Sequence, residues 1–402
     1  MRRREVLALS GIGLTGGCLR LTSDEDQSTQ TTEESTTQSS SETTSGPTQT
    51  AETDETTETD ETDDDRNAGI DLSEQWSFSG HSLAVRGDSL YTASYGNELR
   101  RYASDGTSEW STSAVPEQYM LLNIETSLAA TDSMVFVGAS ASGDEADNAE
   151  LFALDADTGD EQWTHETRDD GTRTKMDYVA VHDGLVVFGS DADGSGDEQE
   201  PIVRALDAES GETVWELDEM EGHLVGIATT EQRIYAVGVF ETYVVSASSG
   251  ELVETFDWNT GFGGVVQTDD MLYTAGDPPL AYDMAAESKL WGPDISYEPN
   301  TRPSVGTNAV VLGTEAGWVI GLDPETGDTQ WEARLSGESR VTPVTVEQTV
   351  WVVDERGTLY GIDQKTGEPH FEEEYDDSFS LASLSGQLVN GEDGAVYAIE
   401  RS

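Results

Sequence analysis

Residues 68–402 of the 402-residue chain are predicted to form an all-β ring, an eight-bladed β-propeller of four-stranded antiparallel blades. Three observations predict it. A short motif, Leu-Asp-x-x-Thr/Ser-Gly-x-x-x-Trp, recurs at residues 151–163, 203–215 and 319–331, with weaker copies ending at Trp110, Trp291 and Phe371. Each copy sits among four short β-rich runs within ~40 residues, the spacing of a propeller blade. The two ends of the chain are incomplete in complementary ways, one holding a lone strand and the other lacking one.

The sixth unit displays the logic of the repeat. Residues 302–306 are the expected inner strand, and residues 309–313 and 317–323 are β-rich runs joined by a glycine turn. The Asp323 carboxylate can accept from backbone two residues on, Gly327 supplies the positive φ of a tight turn, and residues 329–333 form the outer strand. Inner strands are expected to begin near Leu83, Leu122, Tyr178, Val225, Val265, Ser304, Pro343 and Phe379, which makes eight. The last unit has three strands, at 381–384, 387–390 and 395–399. Residues 73–77, around Trp76, have no unit of their own and are expected to supply the fourth. That pairing closes the ring and removes two open edges.

The residues Ala-x-Asp-x-x-Thr-Gly-x-x-x-Trp resemble the PQQ-like repeat of quinoprotein dehydrogenases and BamB-like assembly lipoproteins, over residues 72–402. The copies in blades 1, 4 and 5 are degenerate; in blade 4 a Gly250 turn ends near Phe256 with no Trp. The resemblance implies that Trp110, Trp163, Trp215, Trp291 and Trp331 form a structural girdle between blades. It also raises pyrroloquinoline quinone (PQQ) as a cofactor. The dehydrogenases of this kind use adjacent cysteines, an acidic base and a calcium or lanthanide ion. This chain has one cysteine, Cys18, and no insert to sandwich a flat ring, so no cofactor is expected.

The first 17 residues read as an export signal. Arg2, Arg3 and Arg4 precede an apolar stretch too short to span a bilayer, which takes ~20 residues. They resemble a twin-arginine signal, and Gly16-Gly17-Cys18 resembles a lipobox, although Thr15 stands where Leu is usual. Cys18 would then carry a lipid anchor, placing the protein on the extracellular face of the cell membrane. Residues 18–67 are almost all Ser, Thr, Glu, Asp and Gln, and are expected to form a disordered stalk.

The formal net charge is −61, and residues 67–402 alone hold 65 of the 81 acidic and 15 of the 20 basic residues. Such a surface resembles a haloarchaeal type, in which molar salt shortens the Debye length to ~3 Å and screens self-repulsion. It excludes nucleic acid as a partner, since phosphate binding needs a basic face.

Catalytic patterns are missing from the sequence. His81, His165, His182, His223 and His370 show no metal-ligand spacing, and there is no Gly-x-Ser-x-Gly elbow or phosphate loop. One loop offers hard oxygen ligands, Asp191, Asp193 and Asp197 with Glu200; calcium suits that chemistry, and a solvated hairpin is the plainer alternative. Arg173, Arg302 and Arg340 fall at or just before inner strands of blades 3, 6 and 7, where Tyr178, His223, Phe262 and Phe379 occupy comparable places. With His223, the three arginines are candidates for a ligand site at one mouth of the channel, because guanidinium forks match carboxylates. The structural alternative is that they bond carbonyls and acidic neighbours to hold the ring. Together these readings give a monomeric, non-catalytic surface lipoprotein that binds other envelope proteins or an extracellular ligand. The alternatives are a quinone-dependent dehydrogenase and a calcium- or sugar-binding receptor.

Overall fold

Blade 6 shows how sequence makes a blade. Strands Ser304–Val305, Val310–Gly313, Trp318–Leu322 and Thr329–Arg334 pair antiparallel in that order from the channel outward. The Asp323 Oδ1 accepts from the backbone N–H of Glu325 and Thr326, both at 2.9 Å, and these bonds hold its carboxyl below the usual carboxylate range. The Gly327 N–H closes the turn on the Asp323 carbonyl at 2.8 Å. Gly327 has φ +75°, and a β-carbon there would lie 2.7 Å from the Trp291 ring of blade 5, so only glycine lets the turn lie flat on that indole.

The computed structural model describes residues 70–401, except 81, 95, 122–123, 142–148, 168–173, 193–200, 219, 315, 338–341, 376–379 and 392–393. It is the expected ring of eight blades, with almost no helix. Inner strands contact their neighbours all the way round, including blade 8 against blade 1. Ile70–Ser77 pairs antiparallel with Ala395–Arg401 as the outer strand of blade 8, Trp76 opposite Val396. The closing strand is thus longer than the expected 73–77.

The core is a set of eight apolar seams, one between each pair of adjacent blades. Tryptophans stitch the seams. Trp110 Nε1 donates to the Ala156 carbonyl of the next blade at 2.9 Å, Trp215 to Ala247 at 2.8 Å, Trp291 to Pro324 at 2.9 Å and Trp331 to Gln364 at 2.8 Å. Trp163 reaches Ala208 at 3.2 Å and is less buried. In blade 4, Phe256 stacks on Trp258 with centroids 4.6 Å apart, and Trp258 lies 5.0 Å from Tyr282 of blade 5, replacing the missing girdle residue.

Blade 2 departs from the expected single inner strand near Leu122. Its inner edge is split into Tyr119–Met120 and Leu128–Ala130, with a short helix, α1 (Ile124–Ser127), between them. Ile124 is fully buried in the seam between blades 1 and 2, which anchors α1 beside the channel.

Candidate functional site

The sequence sends one carboxylate into the channel. Glu125 lies on α1, which packs against the inner strands of blades 1, 2 and 3, and its side chain is buried. It accepts from Arg302 Nη1 at 2.7 Å. Arg302 sits on blade 6 just before its inner strand, four blades away in a ring of eight, so the pair crosses the channel. Arg302 Nε also donates to the Val265 carbonyl of blade 5 at 2.9 Å. Gly264 makes room for it: φ is +78° there, and a β-carbon would lie 2.7 Å from Arg302 Cγ.

Arg86, at the end of the blade 1 inner strand, approaches from the other side. Its guanidinium donates to the carbonyls of Glu125 and Leu128 and, at 2.8 Å, to that of Val85. Burial pushes the Glu125 carboxyl up to about 8, with Arg302 and Arg86 pulling it back. Burial also holds Arg86 down to about 10, opposed by Glu125 and reinforced by Arg302.

Of the sequence candidates, Arg302 turns into the channel and fills the carbonyl- and acid-bonding role. His223 lies on the rim, its ring 6.1 Å from that of Phe262. Arg173, Arg340, Asp193 and Asp197 lie outside the described residues, as does the Asp191 side chain. Among the described residues no group of three or more acidic, His or Cys side chains is placed to hold a metal.

Around His223 the loops of blades 4 and 5 interlock. Val239 N–H donates to the His223 carbonyl at 2.9 Å, and Thr260 N–H to the Val239 carbonyl at 3.0 Å. On this base stand Phe240, 61% exposed, and Phe262, 75% exposed, the most exposed large apolar side chains among the described residues. A β-carbon on Gly222, next to His223, would lie 3.3 Å from the Phe240 ring, so Phe240 stands beside the turn that carries His223, and the three side chains share this mouth as an aromatic platform. Glu221 and Glu241 flank it, tied through the Tyr243 hydroxyl, which donates to Glu241 at 2.8 Å and accepts from the Glu221 N–H at 3.1 Å.

A propeller closed by its own terminal strand and girdled by tryptophans at the fixed offset of its repeat is a PQQ-type repeat protein. The chain belongs to the family described as outer membrane protein assembly factor BamB, which matches residues 38–196 and 199–402. BamB from Moraxella catarrhalis is similar in structure, with TM-score 0.63 and 19% identity over 83% of this chain and 98% of that one. The quinohemoprotein alcohol dehydrogenase of Pseudomonas putida HK5 gives 0.59 and 15% over 81% and 72%. A computationally designed protein, Ika8, gives 0.59 and 14% over 82% and 99%. At these identities the likeness is one of fold. Among curated proteins no relative matches the chain.

The dehydrogenase likeness raises a quinone, which the residues present do not fit. Arg302 and Glu125 meet across the axis, so a flat ring cannot lie there at the level of α1. The only cysteine is Cys18, which rules out an adjacent-cysteine pair.

Proposed function

We propose that the protein is a non-catalytic cell-surface lipoprotein, tethered through Cys18, whose propeller is a docking scaffold for another envelope protein. The observation that carries the docking reading is the Phe240–His223–Phe262 platform. Exposed aromatic side chains on an otherwise acidic surface mark an interaction site, because such anchors gain most from leaving water. The interlocked loops fix the rings before binding, so little order remains to be acquired on docking. Membership of the BamB family supports a scaffold role, and the crossed channel argues against quinone chemistry.

The docking reading is tested by Phe240→Ser with Phe262→Ser, followed by cross-linking on intact cells in molar salt. The cross-linked partner band should disappear while the melting temperature stays within a few degrees. An undiminished band would refute the platform. The tether is tested separately by Cys18→Ser, which should release the protein to the medium or leave an unprocessed precursor. Continued tight membrane association would refute the anchor.

A further inference from the structure

The opposite mouth of the channel holds a cavity of about 750 Å³, formed by the turns that follow the inner strands of blades 1 to 5. Its lining is ordered by chemistry. Arg86 reaches it from the channel, and Val179, Val181 and Ile227 make apolar walls. Asp88, Asp132 and Asp269, exposed in the strand-to-strand turns, form an acidic rim.

Charge is unbalanced at the inner end. Two guanidiniums, Arg86 and Arg302, share the Glu125 carboxyl, which bonds to Arg302. Arg86 is left with carbonyl partners, and among the described residues no carboxylate pairs with it. Arg101, also on the lining, is by contrast paired with Glu109 at 2.8 Å. A partly buried guanidinium that faces a cavity and shares the Glu125 carboxyl with Arg302 favours an incoming carboxylate. The exposed aspartates of the same lining favour a cationic group on that ligand.

We propose that this cavity binds a zwitterionic ligand with an apolar body, the size of a short peptide with free ends, its carboxylate toward Arg86 and its ammonium toward Asp88, Asp132 and Asp269. The volume lies in the usual range for such sites, ~300–1,000 Å³, and three extended residues span ~10 Å. The site is independent of the aromatic platform, so either can fail without the other.

The test is calorimetric titration of the full-length protein at fixed molar salt with trivaline, its C-terminal amide and its N-acetyl form. Free trivaline should bind saturably, and each blocked form at least tenfold more weakly. Asp132→Asn with Asp269→Asn should lower the affinity for free trivaline to that for the N-acetyl form and leave the latter unchanged. Val181→Trp should abolish binding by filling the cavity. Arg86 also bonds α1, so these exposed or wall variants carry the test. No saturable binding of free trivaline, equal binding of the amide, or indifference to the aspartate changes would each overturn the proposal.

Discussion

Glu125 and Arg302 meet at 2.7 Å across the channel although 177 residues separate them in the chain. Blades touch mainly their neighbours, so a propeller ring has few contacts between opposite sides. This pair ties blade 2 to blade 6, and Arg302 adds a bond to blade 5.

Breaking the pair from one side should cost more than removing it. Above pH 8, where the Glu125 carboxyl is ionised, Arg302→Met leaves it buried without its partner and should destabilise by about 3 kcal/mol, since losing one member of a buried pair costs ~3–5 kcal/mol. The partial exposure of Arg302 places the loss at the low end. Glu125→Gln with Arg302→Met should recover at least half of it. Denaturant melts at fixed salt measure both; an equal or larger loss in the double variant would mean that the pair is not a coupled unit.

The same carboxyl sets a pH dependence. Its folded pKa of about 8 lies above the unfolded value, so the folded state binds the extra proton between them. Its stabilising contribution is full below about pH 4.5 and is lost as pH rises toward 8, with a slope of at most ~1.4 kcal/mol per pH unit. The stability difference between the native protein and Glu125→Gln should therefore shrink from pH 5 to 8 and level off above. A difference flat across that window would show that Glu125 titrates normally.

The girdle predicts a graded series. Trp331→Ala should cost ~3–5 kcal/mol, the range for a buried aromatic. Trp331→Phe keeps the ring but abandons the Gln364 carbonyl, so it should cost about 1–2 kcal/mol. Trp163→Ala should cost less than Trp331→Ala, because Trp163 is more exposed and its bond longer. The reverse order would mean that the seams are not equivalent.

The repeat made most of this fold legible. The motif places a turn-forming Asp, a flat Gly and a Trp at fixed offsets, and those three residues set the third strand, the turn and the seam. α1 was not legible, because residues 124–127 give a helix too short for any periodic signal, inside a stretch rich in strand formers. Its meaning depends on Arg302, whose approach only the closed ring provides. Glu125 did leave a trace, an acid in the stretch where the blade 2 inner strand was expected, and Arg86 ends an inner strand in a chain with only 20 basic residues. Phe262 was marked by its place before an inner strand. Phe240 was not, because it lies between the second and third strands, where the sequence varies from blade to blade.

The terminal strand provides the sharpest test of closure. Ile70–Ser77 buries Ile70 against blades 7 and 8 and completes the sheet begun by Leu381–Leu384. Trp76 lies in the seam between blades 8 and 1, near Phe78 and 5.8 Å from Tyr102. A chain beginning at Asn67 retains all these contacts and should melt within ~2 °C of the full-length protein. A chain beginning at Phe78 loses the strand and the indole together. The third strand of blade 8, Ala395–Arg401, then becomes an open edge, which invites pairing with other molecules. That shorter chain should melt at least 10 °C lower or aggregate at the same salt concentration. Differential scanning calorimetry with light scattering on the two chains separates the outcomes. Matching melts would mean that the ring holds its eighth blade with three strands, and that the seam to blade 1 does not depend on Trp76.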